Sequence, residues 1–160
     1  MRRTSLLALG LASLAFASLA SACTSQPPPD DTVDCSTVTG TDTFVIGLEK
    51  AGTAGALDFK MMSADPAPPA RGDNTWVVQI NAMASGTVGS PVNGASMAAT
   101  PFMPSHQHGS PVAVVVTSMA GAGQYKLSPV NMWMPGVWET TLDVSTGAAS
   151  DSVVFRFCIP

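Results

Sequence analysis

Residues 137–144 read VWETTLDV and residues 153–159 read VVFRFCI, and these two stretches decide the fold class. In both, large apolar side chains alternate with other residues at a period of two. Successive side chains of a β-strand point to opposite faces of its sheet, so this period predicts strands with one buried face. The other stretches with this alternation are residues 44–49, 57–62 and 76–83, and residues 92–99 show it more weakly.

The segments between these stretches are typical of turns and loops. Residues 66–72 contain three prolines and predict a loop, while residues 85–89, residues 120–123 and Pro135-Gly136 predict hairpin-like turns. Residues 111–119 are apolar at both parities, which predicts a central strand covered on both faces. No stretch has a helical period, so we expect an all-β, immunoglobulin-like antiparallel β-sandwich of seven to eight strands.

The inward parity of these strands predicts the core. Its expected members are Phe44, Ile46, Trp76, Val78, Ile80, Val114, Trp138, Leu142, Phe155 and Phe157.

Composition limits the class of protein. The chain has 160 residues, enough for one domain, and only 11% of them are charged. After the N-terminus no apolar run reaches the roughly 18 residues that a membrane-spanning helix needs. The formal net charge is −4, so we expect no nucleic-acid partner.

The first 22 residues have the pattern of a secretory signal peptide. Arg2 and Arg3 precede an apolar stretch over residues 6–20, and the segment ends in Ala22 directly before Cys23. Small residues before a cysteine resemble the lipobox of bacterial lipoproteins, which implies cleavage before Cys23, acylation of Cys23 and anchoring to a membrane. The alternative is ordinary signal-peptidase cleavage after Ala22.

Residues 23–42 are predicted to be a lipidated, proline-rich tether. Residues 26–31 read QPPPDD and favour an extended polyproline-II spacer. Removing residues 1–22 takes away two arginines and no acid, so the mature chain carries a net charge of about −6. We therefore expect a lipid-anchored protein of the bacterial cell envelope, and Thr24 after the cysteine favours the outer membrane over the inner membrane by its resemblance to known sorting signals.

Two further cysteines, Cys35 and Cys158, stand near the two ends of the predicted domain. An exported protein folds where thiols oxidise, so we expect a disulfide between them. The alternative is two separate thiols, one of which serves as a metal ligand.

The residues most suited to chemistry lie in residues 100–111, TPFMPSHQHGSP, which hold both histidines of the chain. In an extended chain His106 and His108 would point the same way, roughly 6.5 to 7 Å apart. Imidazole and thioether groups suit Cu(I). The predicted copper ligands are Met103, His106, His108, Met132 and Met134. The alternative is that the methionines fill the core, since Val130 shares the parity of Met132 and Met134, and that the histidines bind nothing.

Signatures of enzymes are weak in this chain. It contains no G-x-S-x-G nucleophile elbow and no glycine-rich phosphate loop. A zinc hydrolase needs three protein ligands and an open position, and two histidines with the isolated Glu139 make a poor case for one. We therefore expect no enzymatic activity.

Four motifs in order resemble the YtkA-like domain: GDNTW at 72–76, MPSHQHG at 103–109, GQY at 123–125 and MWMPGVWE at 132–139. The resemblance implies a compact β-sandwich of bacterial envelope proteins over residues 43–160. Members of the family often have glycine where this chain has Gln107. Similar sandwiches include periplasmic copper carriers that hold metal through methionine and histidine.

Two functions remain open on this evidence. The first is an envelope lipoprotein that binds a copper ion, Cu(I), and exchanges it with a metal-donor or metal-acceptor protein. The second is a structural or protein-interaction module with no metal.

Overall fold

A computed structural model describes residues 32–160, which form ten β-strands in two sheets. The predicted signal peptide, the predicted lipidation site Cys23 and the first part of the predicted tether lie outside the described residues. The only helical turn within residues 32–160 is Cys35–Thr37, and no helix there is long and apolar enough to cross a membrane. The strands are β1 (Glu49–Ala51), β2 (Leu57–Asp65), β3 (Gly72–Ala84), β4 (Thr87–Pro91), β5 (Ser96–Met103), β6 (His108–Gly109), β7 (Val115–Ser118), β8 (Gln124–Met132), β9 (Gly136–Ser145) and β10 (Ser150–Ile159).

The two sheets are antiparallel throughout. The first has the order β1-β2-β3-β8-β7, with β4 paired to the C-terminal part of β3, and the second has the order β10-β9-β5-β6. The prediction of an all-β antiparallel sandwich is therefore confirmed, with ten strands described where seven or eight were expected. Three strands had not been predicted: β4 and β6, which have five and two residues, and β8, which has nine.

The core lies between the two sheets, and the period of two predicted most of it. Trp76, Val78, Ile80, Trp138, Leu142, Phe155 and Phe157 are all buried, as expected. The indole of Trp76 packs edge-on against Phe155 and Phe157, with ring centroids 6.5 and 5.6 Å away. Edge-to-face packing of this kind adds to the stabilisation that comes from burial alone.

The prediction of a strand over residues 44–49 with Ile46 inside is wrong. Ile46 is 73% exposed, and Phe44 is half-buried against Phe157 outside any strand. The chain turns here, because the N–H of Leu48 donates to the carbonyl of Val45 at 3.0 Å and Gly47 has a φ of +89°. The strand proper is limited to Glu49–Ala51, although Gly47 and Leu48 also form backbone hydrogen bonds with Met61 of β2.

The prediction of a central strand over residues 111–119 is also wrong. Only Val115–Ser118 forms a strand, β7, and it lies at the margin of the first sheet with β8 as its single neighbour. Val114 is therefore half-buried and Val115 is 61% exposed. An apolar run lacks the alternation that would show which face is covered, so periodicity does not separate this edge strand from a central one.

The outer edge of β10 is covered by the segment that begins the domain. The N–H of Asp42 donates to the carbonyl of Arg156 at 2.7 Å, and the Asp42 carboxylate accepts from the N–H of Arg156 at 2.8 Å. Lys50 Nζ donates to the carbonyl of Val154 at 2.7 Å and also pairs with Asp42. These contacts satisfy backbone groups that an open sheet edge would present to another chain.

The predicted disulfide between Cys35 and Cys158 is confirmed. The two Cα atoms are 5.6 Å apart, and the bridge joins residues separated by 123 positions. It ties the first described turn to the end of β10, so both ends of the domain are fixed at the same place.

A buried carboxylate fixes the turn between β1 and β2 to the second sheet. Asp151, at the start of β10, is 6% exposed. Its two oxygens accept the backbone N–H groups of Ala54, Ala56, Leu57 and Ser152 at 2.7 to 2.9 Å. A Cβ on Gly52 would meet this carboxylate, so only glycine fits there.

Candidate metal-binding site

The chain crosses from the first sheet to the second between β8 and β9. Met132 ends β8, residues 133–135 form the crossing, and Gly136 begins β9. The expectation of a hairpin-like turn at Pro135-Gly136 is wrong, because β8 and β9 belong to different sheets. Gly136 has a φ of +128°, and a Cβ there would collide with the methyl group of Met103. The glycine thus lets β5 approach the crossing closely.

The two histidines lie on a tight hairpin beside this crossing. β5 extends to Met103, which pairs with His108 on β6. The N–H groups of His106 and Gln107 donate to the carbonyl of Met103 at 3.2 and 2.9 Å, and Gln107 has a φ of +55°. Residues 100–111 are therefore not the extended loop from which we predicted that both imidazoles point the same way. The turn nevertheless brings the two imidazole rings together, with centroids 5.7 Å apart and planes at 88°.

His108 is held from two sides. Its ring stacks on Trp133, with centroids 5.4 Å apart and planes at 24°, and it meets Trp138 at 6.1 Å. Its Nδ1 lies 3.1 Å from the carbonyl oxygen of Gly109. A carbonyl only accepts hydrogen bonds, so in the neutral imidazole this contact favours the tautomer with the proton on Nδ1 and the lone pair on Nε2.

The predicted methionines lie at different depths, with Met103 paired to His108 and with Met132 and Met134 on either side of Trp133. Met103 and Met132 are 2% and 0% exposed and belong to the core. Met134 is half-buried at the crossing, and its carbonyl accepts from Trp138 Nε1 at 2.9 Å. All five predicted residues thus lie on two segments at one end of the sandwich, where His106 is exposed and His108 and Met134 are half-buried.

Three residues of this end were not predicted as part of the site, although Trp138 was predicted to lie in the core. Trp133 stacks on His108, Trp138 fixes the crossing, and Arg71 Nε donates to the carbonyl of Trp133 at 2.9 Å. The position of Trp133 was the signal that could have revealed it. This residue has the parity opposite to the buried Met132, and it stands two residues before a Pro-Gly step. Arg71 carries no comparable signal, because its contact joins residues 62 positions apart.

This end of the sandwich offers nitrogen, sulfur and aromatic groups. Within residues 32–160 no group of three or more histidine, cysteine, aspartate or glutamate side chains converges. The donors present are two imidazoles, the thioether of Met134 and the face of Trp133, with two more thioethers behind them in the core. Such donors suit a soft cation better than a hard one.

A family model described as YtkA-like matches residues 53–143. The match includes both histidines, the crossing and all five predicted copper ligands, and it leaves out Cys35 and Cys158. No curated protein and no solved structure matches the chain.

Proposed function

This chain belongs to the YtkA-like family, and we propose that its β-sandwich binds Cu(I) through His106 and His108 in the bacterial cell envelope. The observation that carries the proposal is the pair of imidazoles whose ring centroids are 5.7 Å apart. Metal-to-nitrogen distances of about 2.0 to 2.1 Å place two imidazoles on a shared ion with centroids roughly 5 to 6.5 Å apart. The observed centroid distance lies within this range.

The lone pair on His108 also supports the proposal. The Nδ1 contact with the Gly109 carbonyl and the stacked Trp133 orient the ring, which is how metal-binding histidines are held by their surroundings. Met134 is the sulfur donor we assign to this pair, because it is half-buried beside Trp138. Met103 and Met132 lie deeper and would reach an ion only if the core moved.

The first test is a titration of the protein with Cu(I) against a competing chelator, without oxygen and with ascorbate as reductant. We expect wild type to bind tighter than micromolar. His106→Ala combined with His108→Ala should lower the affinity at least about 100-fold, since loss of an outer-shell partner alone costs about 10- to 100-fold. Equal binding by wild type and the double variant, or wild-type binding no better than micromolar, would contradict the proposal and leave the alternative of a metal-free structural or interaction module.

Leucine variants then identify the sulfur ligand. Met134→Leu should weaken Cu(I) binding while Met119→Leu, on a 43% exposed methionine, should not. Leucine keeps the bulk of methionine, so a loss is a ligand effect and not a cavity effect. Met103→Leu and Met132→Leu apply the same test to the two buried thioethers.

We further propose that the protein is a lipoprotein anchored through Cys23, with the outer membrane favoured over the inner. Arg2-Arg3, the apolar stretch and the Ala22-Cys23 junction support this. A carrier of this kind would receive or deliver copper by contact with another envelope protein.

The anchor is tested by the intact mass of the protein purified from membranes. We expect a chain that begins at Cys23 and carries acyl groups, and Cys23→Ala should release it from the membrane. An unmodified N-terminus on a protein recovered without detergent would refute the anchor but leave the copper site untouched.

A further inference from the structure

The ring of an exposed tryptophan packs against the histidine pair. Trp133 is 42% exposed although it is among the largest apolar side chains of the domain. Its ring lies nearly parallel to His108 at a centroid distance of 5.4 Å, while His106 approaches the same imidazole from another side at 5.7 Å. Trp133 therefore contacts one of the two imidazoles that would share the ion.

The indole is fixed in this place and is not a loose surface side chain. The carbonyl of Trp133 accepts from Arg71 Nε at 2.9 Å, and the carbonyl of the next residue, Met134, accepts from Trp138 Nε1 at 2.9 Å. The two peptide groups that follow Trp133 are thus tied, one to the loop before β3 and one to β9. A fixed ring keeps its electron-rich face directed at the imidazoles.

Two imidazoles alone are not selective for Cu(I), because imidazole also binds zinc, Cu(II) and nickel. An indole face adds attraction for a cation while it offers no lone pair and displaces water. Divalent ions complete their coordination with water or other oxygen ligands. A monovalent soft ion loses less solvation free energy when water is displaced.

Resting on the proposed copper site, we infer that Trp133 makes the His106–His108 pair selective for Cu(I) over divalent ions. The role is that of a specificity-determining residue that acts both on the ion and on the orientation of His108. Its signature is a change in the ratio of Cu(I) to Zn²⁺ affinity, which a merely structural role would not produce.

The test measures Cu(I) and Zn²⁺ affinities by chelator competition for wild type, Trp133→Leu and Trp133→Phe in the full chain. Trp133→Leu should lower Cu(I) affinity roughly 3- to 30-fold more than it lowers Zn²⁺ affinity, and Trp133→Phe, which keeps an aromatic face, should retain most of the Cu(I) affinity. Val115→Ala, at a 61% exposed apolar residue on β7, is the matched control.

Two results overturn this inference while the copper site stands: a Cu(I) to Zn²⁺ ratio that is the same in wild type and Trp133→Leu, or a loss in Trp133→Phe as large as in Trp133→Leu. Failure of wild type itself to bind Cu(I) more tightly than the double histidine variant instead overturns the proposed function. Quenching of indole fluorescence on Cu(I) addition gives an independent readout, and most of it should disappear in Trp133→Leu.

Discussion

Replacing both Cys35 and Cys158 by serine is expected to lower the free energy of unfolding by about 4 to 5 kcal/mol, the largest single effect we predict. The bridge closes a loop of 123 residues, and a cross-link over such a length removes much of the conformational freedom of the unfolded chain. For a domain of this size the loss corresponds to a fall in Tm of roughly 10 to 20 °C. Urea unfolding followed by tryptophan fluorescence measures it directly.

The control for this prediction is chemical reduction. Wild type treated with dithiothreitol should unfold at the same urea concentration as the double serine variant, and the variant itself should not respond to dithiothreitol. A variant as stable as oxidised wild type would show that the bridge contributes nothing to the folded domain.

Asp151→Asn is expected to lower the free energy of unfolding by about 2 to 4 kcal/mol. The carboxylate accepts four backbone N–H groups, two at each oxygen. An amide of the same size replaces one of these oxygens by an NH₂ group. This group would face two N–H donors and cannot accept a hydrogen bond from either. The turn between β1 and β2 would then lose its attachment to β10. Asp143→Asn, at an exposed carboxylate on β9, makes the same change in charge and should cost little.

The contribution of Asp151 to the free energy of unfolding depends on pH, and the pKa of its carboxyl determines the direction. Burial would raise the pKa of this carboxyl, but the hydrogen bonds from Ala54, Leu57, Ser152 and Ala56 outweigh burial and lower its pKa below the ordinary value. A lowered pKa in the folded state stabilises the fold above the unfolded-state pKa of about 3.9, and this stabilisation is lost as the pH falls below it. The difference between wild type and Asp151→Asn should therefore be constant near neutral pH and shrink in acid. A difference that grows in acid would contradict this assignment.

Four long strands, β2, β3, β9 and β10, could be predicted from the sequence because alternation reports burial directly, whereas β8 was missed. Over residues 76–80 and 153–159 every second side chain is apolar and faces the core, so Trp76, Phe155 and Phe157 were placed correctly. An apolar residue at the right spacing is not always buried. Ile46 fits the alternation but lies in a turn closed by Gly47, and Val115 lies on a strand with a neighbour on one side only.

The candidate site could be predicted in composition but not in geometry. His106 and His108 were chosen for their spacing in an extended chain, yet a turn at Gln107 is what brings the rings together. The packing of Trp133 against His108 depends on a crossing between sheets and on Arg71, far away in sequence. Contacts of this kind depend on tertiary structure, and a local pattern does not contain them.

The order of strands has a consequence for the biosynthesis of this protein. The apolar face of the first sheet is covered by β9 and β10, so Trp76 and its neighbours stay uncovered until residues 136–159 have emerged. The segment around Asp42 then docks on β10, the last strand to be synthesised. Contacts so distant in sequence form slowly, because the loop between them must close before they contribute. A partly synthesised chain has no finished core, so the domain closes only after its last strand has arrived.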